Sequence, residues 1–390
     1  MSTAPRFEID LASFWSDPYP ALAEMRAKAP IASVPQLGST LFCSRDDIFI
    51  SEKQIDVFSS HQPQGLMNKL MGHNMMRKDG DAHMAERSVF FPAVSPRAVK
   101  SHWIRQFQAH ADRVIESLPA SASVDFVQAF ALPFSAECLK SITGLTNMRF
   151  QDMNAWSQGM IDGVANYIGD ATVEARCHEA TAGIDAAIDE RIPQLRGKQD
   201  LSLLGVMLAS GMPMESVRAN IKLAISGGQN EPRDAVAGCV WALLTHPDQL
   251  ELALSGKVPW LNVFEEYARW ISPIGMSPRR IAKPFAIGDI ALDVEDRIFF
   301  MFGSANRDEA HFDRPDRFDI TRDASKSIAF GAGPHFCAGA FASRAMVADV
   351  ALPTIFARLR GLRLRKSEPV RIGGWAFRGL LNLPVTWERN

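Results

Sequence analysis

A glycine-rich turn beside one cysteine limits what this chain can be more than any other feature of the sequence. Residues 330–339 follow the pattern F-G-x-G-x-H-x-C-x-G. Gly331 and Gly333 allow a tight turn ahead of Cys337. The apolar stretch from about 338 to 359 predicts a buried helix directly after it. Backbone N–H groups at the start of a helix favour a thiolate over a thiol, so the pattern predicts an anionic sulfur at Cys337.

The pattern is too specific for an ordinary structural cysteine, which is the usual role of an isolated Cys. It fixes six positions, and average residue frequencies produce it on the order of once per million chains. Gly339 would let a flat ligand approach the backbone closely. The other cysteines lack C-x-x-C spacing, which excludes a zinc site and a disulfide framework; they are Cys43, Cys138, Cys177 and Cys239. We interpret Cys337 as the single metal ligand of a haem iron.

Composition narrows the class of protein further. Of the 390 residues, 47% are hydrophobic and 22% are charged, which supports a large core and excludes a disordered chain or a coiled coil. The 42 basic and 44 acidic side chains give a net charge of −2, so no positive excess exists for nucleic acid. No basic-headed apolar leader and no long uncharged apolar segment stand out. We therefore expect a cytoplasmic protein with no membrane or nucleic-acid partner.

The spacing of apolar residues predicts a mainly α chain. Helical spacing dominates from about 97 to 250, and short strands are predicted near 30–43, 285–302 and 370–387. No linker, repeat or low-complexity tract divides the sequence. We therefore expect a single helical domain over residues 1–390, with small β-sheets at one edge.

At these motifs the chain resembles the cytochrome P-450 family of haem-thiolate monooxygenases, over nearly all of its length. Glu266 and Arg269 match the family's E-x-x-R, and their i, i+3 spacing puts both on one helix face, where they can pair. Residues 304–308, with Phe312 just after them, match the family's meander. The resemblance implies the P-450 fold, with heme b between a distal helix and the helices on the cysteine side.

The resemblance also assigns the cations that hold the two haem propionates. His83 and Arg87 match the family's H-x-x-x-R and share a helix face at i and i+4. His335, in the cysteine loop, matches a third contact. The fourth comes from an Arg-Arg pair: spacing to the following strand favours Arg279, whereas spacing from the E-x-x-R motif leaves Arg280 open.

The distal helix departs from the family's A/G-G-x-D/E-T, in which an acid and an alcohol relay protons to dioxygen. Gly227 and Gly228 match the small residues that leave room for substrate and ligand. Asn230 takes the place of the acid, and Glu231 that of the threonine. In one hypothesis these two catalytic residues form an amide–carboxylate relay, with the pKa of Glu231 raised by a dry pocket. In the other, Glu231 turns away and pairs with a base such as Arg233.

Two further segments resemble a smaller group of bacterial O-demethylases that act on small methoxylated aromatics. Residues 229–232 read Q-N-E-P, and residues 373–379 read G-G-W-A-F-R-G. Pro232 lacks an N–H, so the distal helix is predicted to kink there. Phe377 matches a substrate-binding phenylalanine of that group, and an aromatic edge packs well against a planar ring. Without the resemblance, a phenylalanine is more often part of the core.

The resemblance implies an enzyme that inserts one oxygen atom from dioxygen into a small apolar, aromatic substrate by hydroxylation or O-demethylation. Electrons would come from a ferredoxin or flavodoxin with its reductase, docking near Arg97, Lys100, Arg105 and Arg344. One alternative is a peroxygenase driven by hydrogen peroxide, because the threonine is missing; the Arg-Pro pair of such enzymes is reversed here. The other alternative is a non-catalytic haem-binding sensor.

Overall fold

The computed structural model describes residues 2–119, 121–166 and 169–388. The α-helices, in chain order, are α1 (Leu11–Ser16), α2 (Tyr19–Lys28), α3 (Arg45–Ser51), α4 (Leu66–Met71), α5 (Gly80–Val94), α6 (Pro96–Ala98), α7 (Ile104–Ser117), α8 (Leu132–Thr143), α9 (Phe150–Val164), α10 (Ala171–Leu195), α11 (Leu203–Ala209), α12 (Met214–Ser226), α13 (Asn230–Thr245), α14 (Pro247–Leu254), α15 (Trp260–Ile271), α16 (Phe302–Ala305), α17 (Ala340–Arg344) and α18 (Leu352–Arg358). The strands are β1 (Ile31–Val34), β2 (Ser39–Phe42), β3 (Phe58–Ser59), β4 (Ser121–Asp125), β5 (Ser277–Ile281), β6 (Phe285–Ile287), β7 (Ile290–Leu292), β8 (Arg297–Phe300), β9 (Arg360–Leu364), β10 (Arg371–Gly373), β11 (Gly379–Asn382) and β12 (Pro384–Glu388). Helix dominates, as the apolar spacing predicts.

The chain folds into two compact units, each assembled from segments far apart in sequence. The first unit comprises residues 1–61, 237–337 and 364–384, and the second comprises 62–236, 338–363 and 385–390. Neither unit is a continuous stretch of chain, so each depends on long-range contacts for its stability.

A mixed five-stranded sheet organises the first unit, in the order β1-β2-β8-β5-β3. Strands β2 and β8 pair in parallel, and the other neighbours are antiparallel. Phe42, Phe58 and Phe300 are buried on this sheet, with ring centroids 5.5–5.6 Å apart and mostly edge-to-face or tilted packing. The hairpins β6–β7 and β10–β11 complete the unit. These strands confirm the short strands predicted near 30–43, 285–302 and 370–387.

The second unit is built mainly from helices. Phe126, Phe130 and Phe134 follow one another at i and i+4, and their buried rings stack at 5.3 and 5.5 Å between centroids. A continuous helical stretch, Ala340–Arg358, contains α17, a π-helical segment and α18. Among the described residues, this stretch has the length and mean hydropathy (1.3) of a membrane span, but 61% of its most apolar window is buried inside the structure. It confirms the buried helix predicted after Cys337.

Four strands lie outside the stretches that the sequence predicts as strand, namely β3, β4, β5 and β9. Strand β4 lies inside the stretch predicted as helix, and it forms a sheet in the order β4-β12-β9. Strand β9 has one buried residue, Leu362, between exposed Gly361 and Arg363, which gives only a short and weak strand pattern. Strand β3 has two residues and exists because Phe58 and Ser59 pair with β5. Short edge strands of this kind are decided by their pairing partners.

One buried ion pair fixes the middle of the first unit. Arg269, on α15, donates through Nε and Nη2 to the two carboxylate oxygens of Glu266, at 2.7 and 2.8 Å. Both side chains are at most 1% exposed. The remaining Nη1 of Arg269 donates to the carbonyls of Asn306 and Pro315, at 2.8 and 2.9 Å. The E-x-x-R pair therefore binds the backbone of the meander and is not a surface ion pair. The residues next to it in sequence do not indicate this contact.

Arg269→Ala is expected to lower the free energy of unfolding by about 3 to 5 kcal/mol, because buried Glu266 loses its bidentate partner and keeps only a single contact with Arg322, at 3.2 Å. Arg280→Ala is the control: its side chain is 22% exposed and pairs with Glu295, which is 67% exposed. That control should cost about 1 kcal/mol or less. Urea unfolding of both variants measures the difference, and equal midpoints would contradict the role given to Arg269.

Candidate active site

The cysteine loop is a closed turn in the first unit. The N–H of Gly331 donates to the carbonyl of Ile328 at 2.8 Å, and the N–H of Cys337 donates to the carbonyl of Phe330 at 2.9 Å. Gly331 and Gly333 have φ of +75° and +64°, a backbone conformation that other residues rarely adopt. The sequence pattern predicts these two glycines in a turn, and the backbone conformation of that turn requires glycine at both positions. The loop leaves Cys337 exposed.

The five cysteines differ sharply in their environment. Cys337 alone is exposed, and the other four are buried. Burial raises the pKa of Cys43 to about 12 and that of Cys177 to about 11, and it raises the pKa of Cys138 and Cys239 well above the usual range. These four stay as neutral thiols at physiological pH. Cys337 is thus the one cysteine whose sulfur is accessible to an external ligand or iron.

A buried carboxylate connects the cysteine loop to the predicted propionate arginine. Glu52, which is 2% exposed, accepts a hydrogen bond from the N–H of Ala332 and an ion pair from Nη2 of Arg279 at 2.9 Å. Arg279 is 4% exposed and also donates to the carbonyl of Pro278 at 2.9 Å. Burial raises the pKa of Glu52, while Arg279 and the Ala332 N–H act in the opposite direction.

The other propionate candidates occupy both units. Arg280 points to the opposite side of β5 from Arg279, and its guanidinium binds the carbonyl of His61 and the carboxylate of Glu295. These contacts favour Arg279 of the two arginines. His335 lies at the end of a short 3₁₀ turn in the first unit. In the second unit, a buried His83 and a half-buried Arg87 lie one turn apart on α5, as their spacing predicts.

The distal helix is broken rather than kinked. Helix α12 ends at Ser226 and α13 begins at Asn230, so three residues between them are not helical. Pro232 stands in the first turn of α13, where its missing N–H has no partner to lose. A Cβ on Gly228 would lie 2.4 Å from the carbonyl oxygen of Ala224, so only glycine fits there. The break goes further than the kink that Pro232 predicts.

Side chains of the second unit hold this break open. The hydroxyl of Ser157 donates to the carbonyl of Ile225 at 3.1 Å, and that of Ser135 donates to the carbonyl of Gln229 at 2.8 Å. The side-chain amide of Asn230 donates to Oε1 of Gln158 at 3.2 Å. Backbone carbonyls that would accept N–H groups in a continuous helix therefore accept hydrogen bonds from side chains of other helices. Asn230 is bound to α9, and no hydrogen bond joins it to Glu231 among the described residues.

Glu231 has the most unusual environment of the predicted residues. Both carboxylate oxygens are buried and have no hydrogen-bond partner among the described residues. Burial raises its pKa to about 7, and the nearby Asp234 acts in the same direction. Arg233, the predicted alternative partner of Glu231, instead forms an ion pair with Asp234 at 2.8 Å. A buried carboxyl group with a raised pKa is typical of a proton donor, and the Arg233–Asp234 pair removes the base named in the other hypothesis.

Phe377 is not a core residue. It lies in the turn between β10 and β11 and is 41% exposed. The turn is fastened to the chain that follows α15: the N–H of Gly275 donates to the carbonyl of Ala376, and that of Arg378 donates to the carbonyl of Pro273, both at 2.8 Å. The backbone is thus fixed while the ring remains accessible, which suits a contact with a ligand.

Comparisons with known proteins agree with this architecture. The family model for cytochrome P450 matches residues 246–382. Cytochrome P450 107B1 of Saccharopolyspora erythraea is 28% identical over 81% of this chain and 77% of its own, and 6-deoxyerythronolide B hydroxylase from the same organism is 26% identical over 99% of both chains. The crystal structure of CalO2 superposes with a TM-score of 0.86 at 25% identity, covering 97% of this chain and 98% of its own.

In fold and in sequence the chain is similar to bacterial members of the cytochrome P450 family. The P450 fold and the monooxygenase class predicted from the sequence are confirmed. Haem is the cofactor of the family, and the residues of this P450 fit it. Cys337 supplies an accessible sulfur just before α17, while the other cysteines are buried. Of the residues predicted to bind propionates, Arg279 in the first unit and His83 in the second are buried.

No pattern in the sequence points to Glu52. It is one acid in an ordinary helix end, and its partners Arg279 and Ala332 are 227 and 280 residues away. Neither spacing nor periodicity records contacts over such separations. The helix break likewise depends on Ser135 and Ser157, two hydroxyls that lie in other helices and match no motif.

The pH dependence of stability tests the environment of Glu231. Because its pKa is raised from 4.5 to about 7, the folded P450 keeps a proton that the unfolded chain releases, and stability falls as pH rises between these values. Glu231→Gln removes this loss. The free energy of unfolding of the variant, relative to the parent, should rise by up to about 3 kcal/mol from about pH 5 to about pH 8.

Urea unfolding across that pH range measures the effect. Glu179→Gln, at an exposed site on α10, is the matched control. A parent–variant difference that does not change with pH would show that Glu231 titrates as an exposed acid does.

Proposed function

We propose that this P450 inserts one oxygen atom into a small aromatic substrate, and that its reaction with methoxylated rings is O-demethylation. The observation that carries the oxygenase proposal is the accessible Cys337 thiol on a closed, glycine-dependent loop. Heme b, when bound through Cys337, supplies the activation of dioxygen and the transfer of its oxygen atom. We further propose a cytoplasmic enzyme whose haem domain comprises residues 1–390.

The reaction balances without any further reactant. An aryl methyl ether, dioxygen, two electrons and two protons give a phenol, formaldehyde and water. Hydroxylation of the methyl carbon gives a hemiacetal, which loses formaldehyde as its C–O bond breaks. The enzyme must therefore deliver protons to a dry site, which is the task of Glu231.

Glu231 is suited to deliver those protons. A carboxyl group with a pKa of about 7 can donate a proton and be reprotonated at neutral pH. Its oxygens have no protein partner among the described residues, so water or substrate can bind them. Asn230 has a positioning role in place of the predicted proton relay, because its hydrogen bond to Gln158 fixes the start of α13. Gly227 and Gly228 leave this part of the chain without side chains that would obstruct a ligand.

The aromatic substrate class rests on Phe377. An exposed ring on a fixed backbone turn offers an edge or face to a planar substrate. The relatives do not narrow this choice, because their names refer to vitamin D(3), 6-deoxyerythronolide B and steroids. A preference for small substrates, imposed by the residues around Phe377, would distinguish this enzyme from those relatives.

Electrons are proposed to enter from a ferredoxin or flavodoxin at a basic surface of the second unit. Arg97, Lys100 and Arg105 are exposed on consecutive helical turns. Helix α17, which carries Arg344, packs against the segment between α6 and α7. Phe341, on the same helix, is 42% exposed. Exposed basic residues and an exposed aromatic ring on segments that pack together are typical of a docking surface for an acidic redox protein.

One experiment separates the candidate functions. Purified holoenzyme is titrated with methoxybenzenes, vitamin D(3) and a steroid while the spin-state change of the haem spectrum is followed. Turnover is then measured with NADH plus ferredoxin and reductase, with NADH plus flavodoxin and reductase, with hydrogen peroxide, and with no electron source. Phenol and formaldehyde formed only with a reductase system support the proposal. Product with peroxide alone identifies a peroxygenase, and no product under any condition favours a sensor.

Glu231→Gln tests the proton-donor role. The variant keeps the size of the side chain but loses its acidic proton, so product formed per NADH should fall by about 10-fold or more. Hydrogen peroxide should account for the lost NADH, with substrate affinity little changed. Glu179→Gln should behave as the parent enzyme does. Unchanged coupling in Glu231→Gln would mean that water alone carries the protons.

Phe377→Ala tests the aromatic wall. Loss of the ring should weaken binding of small methoxybenzenes by about 1 to 3 kcal/mol and admit bulkier ring substituents. Leu381→Ala is the control, because Leu381 is an apolar residue of the same hairpin with 47% exposure. Spectral titration with rings of increasing size measures both effects. Equal dissociation constants for parent and Phe377→Ala across the series would remove Phe377 from the substrate site.

A further inference from the structure

Glu52 stands out among the buried charged groups because its two oxygens bind two parts of the site at once. One oxygen accepts the ion pair from Arg279, and the other accepts the N–H of Ala332 in the cysteine loop. Glu52 is 2% exposed and Arg279 is 4% exposed, so water does not stabilise the charge of either group. A buried charge of this kind persists only when its partners are fixed.

The backbone around Glu52 adds a second contact with the loop. A Cβ on Gly333 would lie 2.9 Å from the carbonyl oxygen of Glu52, so the loop lies directly against this residue. The Cβ position of Gly331 is 3.4 Å from Oε2 of Glu52. The glycines therefore serve a purpose beyond turning the chain, since they let the loop approach Glu52 closely enough to be held.

Arg279 is held in the same way. Its Nη2 binds Glu52 and its Nη1 binds the carbonyl of Pro278, both at 2.9 Å, and its guanidinium lies 5.5 Å from the ring centroid of Phe300. The direction of the guanidinium is therefore determined by Glu52 and by strand β5. Movement of Arg279 is transmitted through one carboxylate to the backbone of the cysteine loop.

We propose that Glu52 is a positioning residue that couples the propionate-binding arginine, Arg279, to the loop that presents Cys337. This rests on the proposed haem-binding roles of Arg279 and Cys337. A single carboxylate then links the cation that would bind a haem propionate to the loop whose sulfur would bind the iron. Its negative charge balances that of Arg279, and it would also act on the potential of a haem iron bound by Cys337.

The test compares Glu52→Gln, Glu52→Ala and a control in the reconstituted holoenzyme. Glu52→Gln keeps an oxygen that can accept the Ala332 N–H but loses the charge, whereas Glu52→Ala loses both. Glu309→Gln is the control, because Glu309 forms a similar ion pair with Arg26 in the same unit but is 59% exposed. Three readouts are measured: haem transfer to excess apomyoglobin, the thiolate fraction of the carbon monoxide complex, and the ferric–ferrous reduction potential.

Glu52→Gln should speed haem loss by about 10-fold and shift the reduction potential to more positive values, because removal of a negative charge favours the reduced iron. Glu52→Ala should also lower the thiolate fraction of the carbon monoxide complex, because the loop loses its anchor. Glu309→Gln should match the parent enzyme in all three. In an Arg279→Gln background, Glu52→Gln should have little further effect on haem loss, since coupled residues are not additive.

Haem loss and potential equal to those of the parent in Glu52→Gln would overturn the proposal, as would full additivity with Arg279→Gln. A purely structural role would lower the urea midpoint and leave the potential unchanged, which also overturns it. The proposed function fails separately: in that case the parent enzyme itself would lack the thiolate spectrum with carbon monoxide.

Discussion

The buried pair of Glu266 and Arg269 is the interaction on which the rest of the first unit depends. Its geometry is bidentate, and its exclusion from water makes it costly unless every remaining group is satisfied. The backbone carbonyls of the meander satisfy Arg269, and the N–H of Asp319 donates to Glu266. Asn306 then accepts the N–H of Ile328, where the cysteine loop begins. Helix α15, through its Glu266–Arg269 pair and the meander, thus fixes the start of the cysteine loop.

A second buried pair, between Glu52 and Arg279, reaches the same loop from the sheet. The two pairs differ in origin. Glu266 and Arg269 are three residues apart on one helix face, so local geometry brings them together. Glu52 and Arg279 meet only because β5 and the end of α3 are packed in one unit. The loop that carries Cys337 is therefore held at its start by a local motif and at its turn by a long-range contact.

The second unit shows how a change of residue type alters the chemistry of one position. An alcohol at the place of Glu231 would not titrate near neutral pH, whereas a buried carboxyl group does, since burial penalises its charged form. The surrounding structure allows this by pairing Arg233 with Asp234 and by breaking the helix before Asn230. Serine hydroxyls from α8 and α9 satisfy carbonyls at the break, so its geometry does not depend on Pro232 alone.

The sequence by itself determined the resemblance to the P450 family, the mainly α fold, the cysteine loop and the E-x-x-R pair, because each depends on residue types at short, regular spacing. It also placed His83 and Arg87 one turn apart. Only the tertiary structure decided that Arg279 rather than Arg280 faces a buried acid, and that Glu231 has no protein partner among the described residues. It alone revealed Glu52. These outcomes depend on burial and on contacts between segments more than two hundred residues apart, and no local pattern encodes such contacts.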